Sequence, residues 1–270
     1  MLFDTHCHAY WDSLSRRHPE LRENMRAAGV ARTVQIGADW DTSVKALAVA
    51  RDWGDGHWAT AGLHPSDCQD LPEHSAQAWA SQLEKHIESN RDKIVAVGEC
   101  GLDYYHLTPG KEEQQKKTQR AFFGAQAALG ERLKLPLVVH SREAAADTLA
   151  QLREFGVKNA VIHCFCENWD FARAAMEISP GIVFAFGGTL TYKKSLGIQE
   201  AAKWLPLDRV LLETDAPFLV PQAARDTFKV NEPAFVRHVM DFFKTLRTER
   251  SDAVEKAVWD NSNRFFGVAG

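Results

Sequence analysis

The sequence predicts an α/β protein built as a single (β/α)8 barrel, and three observations carry that expectation. Short β-branched or apolar runs alternate with longer helical patterns along the whole chain. Eight such units fit within 270 residues, a usual length for this architecture. Ionisable residues recur where the runs end, which is where a barrel of this kind carries its chemistry. No Pro-, Gly- or Ser-rich linker divides the chain, so one domain is expected over residues 1–270.

The strand candidates come in order. Leu2 to His6 opens on an apolar pair, and Arg32 to Gly37 carries Thr33, Val34 and Ile36. Trp58 to Leu63 and Ile94 to Glu99 follow, the second rich in β-branched residues. Pro136 to His140, Ala160 to His163, Ile182 to Phe186 and Val210 to Thr214 complete the eight. Helical patterns lie between most of them, for example Asp41 to Trp53, Ser75 to Asn90 and Glu112 to Leu133. A doubly wound open sheet is the competing α/β form, but the chain offers no Gly-rich phosphate loop.

Composition narrows the function. The chain is 45% hydrophobic and 25% charged, as expected of a globular protein with a large core. Its net charge of −4 provides no global field for nucleic acid or anionic membrane, so a polyanion would have to be held locally. No apolar run approaches the roughly 20 residues that span a bilayer. The first residues lack a basic segment leading into an apolar one, so no signal peptide is expected. Five scattered cysteines argue against a disulfide framework, and a reducing cytoplasm is the simplest setting. No membrane association and no obligatory protein partner are expected.

The strand ends carry the chemical signal. His6 and His8 are two apart, so an extended backbone turns both imidazoles to one face. His64 ends the third strand, Glu99 the fourth, His140 the fifth, His163 the sixth and Asp215 the eighth. One histidine at a strand end is ordinarily structural. This many on one rim, with two carboxylates, points to metal.

In order along the chain stand DTHCH (4–8), GLHP (62–65), GECGLDY (98–104), LPLVVHSR (135–142), HCF (163–165), GGTLTY (187–192), LLETDAPFL (211–219) and NEP (231–233). This set resembles the TatD family of metal-dependent deoxyribonucleases, within the amidohydrolase superfamily. The resemblance implies a TIM-like barrel with two divalent metal ions. It implies that His6, His8 and Asp215 bind the first ion, that Glu99 bridges, and that His140 and His163 hold the second. Val230 stands where the family usually has a basic residue before NEP, with Lys229 one position earlier. Cys100 stands where an isoleucine is common.

Two such ions can activate a water and clamp the oxygens of a phosphodiester. Glu99 suits the bridge because a carboxylate has two oxygens, and Asp215 can accept the proton of the attacking water. Glu213, two residues before Asp215, is expected behind the ligands, orienting a histidine through its outer nitrogen. Asp4 shares the face of His6 and has the same reading, or that of a hydrogen-bond anchor at the barrel floor. His64 is expected to contact substrate phosphate rather than metal. Tyr192, Arg142 and Lys229 are further candidate phosphate contacts. Trp11 could stack on a nucleobase, although such a residue more often packs on its own loop. Cys7, Cys100 and Cys164 each follow a proposed ligand, so alternation points them away from the site; Cys68 and Cys166 are expected on loops. The tail 261–266 is given a structural role only.

The leading expectation is a metal-dependent hydrolase of DNA phosphodiester bonds. The family adds a preference for strand ends, hence an exonuclease. Imidazole-rich sites favour zinc-like ions by affinity, with manganese and magnesium as alternatives. A hydrolase of a small ester, lactone or amide uses a similar constellation. A non-catalytic metal- or nucleic-acid-binding protein on the same scaffold is the reading from another class. The intact carboxylates Glu99 and Asp215 argue against it.

Overall fold

Eight parallel strands pair in sequence order in the computed structural model, which describes residues 1–269. They are β1 (Leu2–Cys7), β2 (Val30–Gln35), β3 (His57–Ala61), β4 (Ile94–Asp103), β5 (Leu137–Arg142), β6 (Asn159–Ile162), β7 (Gly181–Phe186) and β8 (Val210–Leu212). Helices connect them, so each crossover returns to a neighbouring parallel strand, and the whole is a (β/α)8 barrel.

The ring closes between β8 and β1 by contacts outside the strand ladders. Asp215 N donates to His6 O at 2.9 Å, and His8 N donates to Ala216 O at 2.7 Å. Asp4 stitches the same seam from the side. Its Oδ1 accepts Thr214 N at 2.8 Å and its Oδ2 accepts the Thr214 hydroxyl at 2.7 Å.

Side-chain alternation divides the apolar residues between two surfaces. Phe3, Val34, Val95, Val138, Val161, Val183 and Leu211 form one buried cluster with Phe266 of the last helix, Ser251–Phe266. Leu2, Ala59, Ile94, Leu137, Val139, Ile162, Ile182 and Phe184 belong to a second, larger one that includes helix residues. The tail is anchored as its sequence suggests: Asn261 Nδ2 donates to Leu207 O and Val210 O at 2.7 and 3.0 Å.

The main departure from the sequence expectation is in β4, which continues four residues beyond Glu99. The register shifts between Val97 and Cys100, then pairing with β5 resumes through Asp103. Gly98 and Gly101 allow it. They sit at φ +141° and +132°, and a Cβ on Gly101 would lie 2.1 Å from His140 O. Two buried glutamines of the long helix Glu112–Leu133 hold backbone at this end of the barrel. Gln119 brackets Asp103 through its N–H and carbonyl at 2.8 and 2.9 Å. Gln126 does the same for Leu63, next to His64, at 2.8 and 3.0 Å.

Candidate metal centre

The strand ends surround a cavity of about 550 Å³ whose lining includes His8, His64, Glu99, His140, His163 and Asp215. His6 lies buried beneath them. His6 Nε2 and His8 Nε2 are 3.2 Å apart, and Asp215 Oδ1 lies 3.5 and 3.3 Å from them. The two oxygens of Glu99 face different histidines. Oε2 is 3.5 Å from His6 Nε2, whereas Oε1 is 2.8 Å from His163 Nε2 and 3.1 Å from His140 Nδ1. Three groups of ligand atoms, each within 4.8 Å of one another, can be drawn: His6, His8 and Asp215; His6, Glu99 and His163; His64, Asp103 and His140. The two carboxylates and all four histidines proposed as ligands are thus together.

Burial alone would push both carboxyl groups up. For Glu99, the surrounding His163, His64 and His140 outweigh it and hold the group well below the usual range. For Asp215, His8 and His6 outweigh burial and lower the group below its ordinary value. Burial, then neighbouring His163, pushes the His6 imidazole down, towards the neutral form that ligates metal. Ionised carboxylates facing the inner nitrogens of histidines form a donor set suited to a divalent cation.

The outer nitrogens explain how the rings are aimed. His6 and His163 stack, with ring centroids 4.0 Å apart and planes 9° from parallel. Glu213 lies behind both, its oxygens 4.0 Å from His6 Nδ1 and 3.5 Å from His163 Nδ1. Glu213 Oε1 also accepts the N–H of Cys164 at 2.6 Å. His6 Nδ1, His163 Nδ1 and Glu213 Oε2 are buried without a hydrogen-bond partner. With its proton on Nδ1, each ring faces a Glu213 oxygen and turns its Nε2 lone pair towards Glu99, a donor set that fits a metal. His8 Nδ1 lies 2.9 Å from the Tyr10 hydroxyl, which donates to Ile36 O at 2.8 Å and so accepts from the ring. His140 turns Nε2 to Asp103 Oδ2 at 3.2 Å.

Asp103 and Tyr10 were not anticipated from the sequence. Asp103 lies inside the GECGLDY motif, but the strand was expected to end four residues earlier. Its carboxylate also takes the N–H groups of Tyr105 and His106, each at 3.0 Å, and His106 Nδ1 at 2.8 Å. Burial opposes ionisation there, yet the hydrogen bonds from His140 and His106 hold the carboxyl far below its ordinary value. The Tyr10 signal was its position two residues beyond His8.

His64 is set apart by its tautomer. Its Nδ1 accepts the N–H of Ser66 at 3.2 Å, and burial pushes its pKa down to about 3. The neutral ring therefore carries its proton on Nε2, 3.4 Å from Glu99 Oε1, and acts as a donor. Arg142 lines the cavity, its guanidinium 3.9 Å above the Tyr105 ring centroid.

Of the two readings of Asp4, the structure supports the anchor: its carboxylate is engaged with Thr214 and, at 3.4 Å, the backbone N–H of His6, and so fastens strands. Several other residues lie elsewhere than expected. Tyr192 and Lys229 are not among the cavity's lining residues. The Tyr192 hydroxyl donates to Val220 O at 3.1 Å and its ring carries the Arg225 guanidinium, while Lys229 is exposed. Cys164 does line the cavity, because β6 ends at Ile162 and Cys164 takes φ +43°, which breaks the alternation. Cys166 lines it too, and Cys68 is buried at the end of the short helix Pro65–Cys68 rather than on a loop.

Known proteins place this geometry. The family described as TatD related DNase matches residues 3–267. The chain is 33% identical over 270 residues to the uncharacterized metal-dependent hydrolase YabD of Bacillus subtilis, covering 99% of this chain and all of that one. It is also 33% identical over 252 residues to the 3'-5' ssDNA/RNA exonuclease TatD of Pantoea vagans, covering 90% and 91% of the two chains. The crystal structure of YJJV, a TatD homolog from Escherichia coli, superposes with a TM-score of 0.87 at 27% identity, over 99% of this chain and 98% of that one. The chain belongs to the TatD-related DNase family of metal-dependent hydrolases.

Proposed function

We propose that the protein is an exonuclease that hydrolyses DNA phosphodiester bonds at strand ends with two divalent metal ions. The observation that carries this is Glu99, whose two oxygens face His6 on one side and His140 with His163 on the other. His6, His8 and Asp215 would hold one ion, His140 and His163 the other, with Glu99 between. When bound, such ions polarise a phosphoryl oxygen and make hydroxide available near neutral pH.

The chain's own groups supply the rest. Asp215, held ionised at the cavity wall, accepts the proton of the attacking water. His64 Nε2–H and the Arg142 guanidinium are donors towards an anionic oxygen in the cavity. Glu213, Asp103 and Tyr10 keep the imidazoles aimed.

Incubation of the purified protein with end-labelled single-stranded DNA, in magnesium, manganese and zinc and with chelator, tests the proposal. Metal-dependent stepwise shortening is expected. If single- and double-stranded DNA stay intact in all three metals, a small ester, lactone or amide becomes the better substrate class.

A further inference from the structure

We infer that Trp11 and Phe218 seat the terminal nucleobase of a single-stranded nucleic acid whose adjoining phosphodiester lies over the metal-binding floor. The inference rests on the nuclease reading above and assigns the group that positions the chain end.

Each residue is 45% exposed, yet both line the same cavity as His8, Glu99 and Asp215. They meet edge to face, with centroids 5.7 Å apart and planes at 79°. Phe218 also stands edge-on to His8 at 6.1 Å, and Trp11 lies nearly parallel to Tyr10 at 6.5 Å. Aromatic contact therefore runs unbroken from a proposed ligand to the cavity mouth.

The backbones beneath the rings are fixed. Trp11 N donates to His8 O at 3.1 Å, and Trp11 O accepts from both Leu14 N and Ser15 N at 2.8 Å. Phe218 N donates to Asp215 O at 2.9 Å, and Phe218 O accepts Asn231 Nδ2 at 2.6 Å. Two large apolar rings held open to water on rigid backbone form a preorganised contact surface, which lowers the ordering cost of binding.

Charge around the cavity selects what lands there. Asp39 and Asp67, beyond β2 and β3, repel a phosphate, while Arg142, at the end of β5, attracts one. Trp11 and Phe218 are themselves uncharged and suit the flat, uncharged part of a nucleotide. Tyr105, another exposed aromatic residue, has one ring face covered by Arg142 and is not among the lining residues. A cavity of about 550 Å³ suits one small ligand, hence a single terminal nucleotide. A base inside a duplex is stacked on both faces, so the seat selects an unpaired end.

The test compares kcat/KM on a single-stranded oligonucleotide and on the same strand with an abasic terminal residue, the 3' and 5' ends being tried separately. One stacked base corresponds to a preference of about 5- to 150-fold for the base-bearing end in the wild type. Trp11→Ala should bring that ratio close to one, Phe218→Ala should reduce it, and Trp11→Phe should keep most of it, with circular dichroism confirming the fold of each. A wild-type ratio of one at both ends, or a Trp11→Ala ratio equal to the wild type's, overturns the seat alone. Failure to cut any strand in any metal overturns the nuclease reading and the seat with it.

Discussion

Asp215→Asn tests the proposed division between Asp215 as proton acceptor and the residues proposed only to aim the ligands. Asp215 sits at φ +57°, a left-handed conformation that asparagine tolerates better than most side chains, so the substitution keeps the backbone as well as the size. The amide still offers one oxygen to the nitrogens of His6 and His8, now 3.5 and 3.3 Å away. It loses the charge and cannot take a proton. Loss of a general base costs ~10²–10⁴ in rate, or about 2.7–5.4 kcal/mol of barrier. Glu213→Gln is the comparison. Glu213 is not among the cavity's lining residues, and on the proposal it would act through the outer nitrogens of His6 and His163, for which ~10–100-fold, about 1.4–2.7 kcal/mol, is typical. The assay is single-turnover cleavage of end-labelled DNA at saturating metal, with circular dichroism to verify folding. Near-wild-type turnover by Asp215→Asn alongside a dead Glu213→Gln would refute the reasoning and transfer the base to the other carboxylate.

Further outcomes follow from the same geometry. His140→Ala or His163→Ala should lower the occupancy of one ion more than the other, read as metal per chain by elemental analysis; equal loss of both would contradict the division of ligands. Asp103→Asn should weaken the same ion about tenfold and add little to His140→Ala, since it works through that ring; additive losses in calorimetric titration would mean an independent role. Burial, with Arg22 and Lys93 nearby, lowers the His57 pKa to about 4, so the folded state resists its protonation. Its contribution to stability is present above the unfolded value near 6.5 and is lost as pH falls towards 4, so His57→Asn should flatten the fall of Tm across that window. Metal at a hundredfold excess over Kd should raise stability by about 2.7 kcal/mol, and a Tm indifferent to chelator would argue against a resident ion.

What the sequence made legible was the periodic part of the structure. β-branched or apolar runs located every strand, and ionisable residues at their ends marked side chains that the barrel brings together around one cavity, because alternation and strand order are local properties carried into space by one barrel. The failures share a different cause. The fourth strand was expected to end at Glu99, yet Gly98 and Gly101 let β4 continue close to β5 and carry Asp103 to His140. Alternation was applied to Cys164 one residue beyond the point where the chain leaves extended geometry. Tyr192 and Lys229 stand in or beside recognisable motifs, but which way a loop side chain turns depends on partners such as Val220 that no spacing reveals.

Barrel closure and the candidate centre are made from the same few residues. A three-residue β8 cannot close the ring by a long ladder, and beyond Leu212 its chain leaves extended geometry, with Asp215 at φ +57°. That departure places Glu213 behind His6 and Asp215 in front of it, two carboxylates on opposite edges of one imidazole. Meanwhile Asp215 N and Ala216 O bond the backbone of the two histidines that they face, His6 and His8. Asp4 and Thr214 then lock this seam from the buried side. A change that loosens the β8–β1 seam therefore also misaligns His6, His8 and Asp215. The rigidity that a metal centre needs is supplied here by the step that completes the fold.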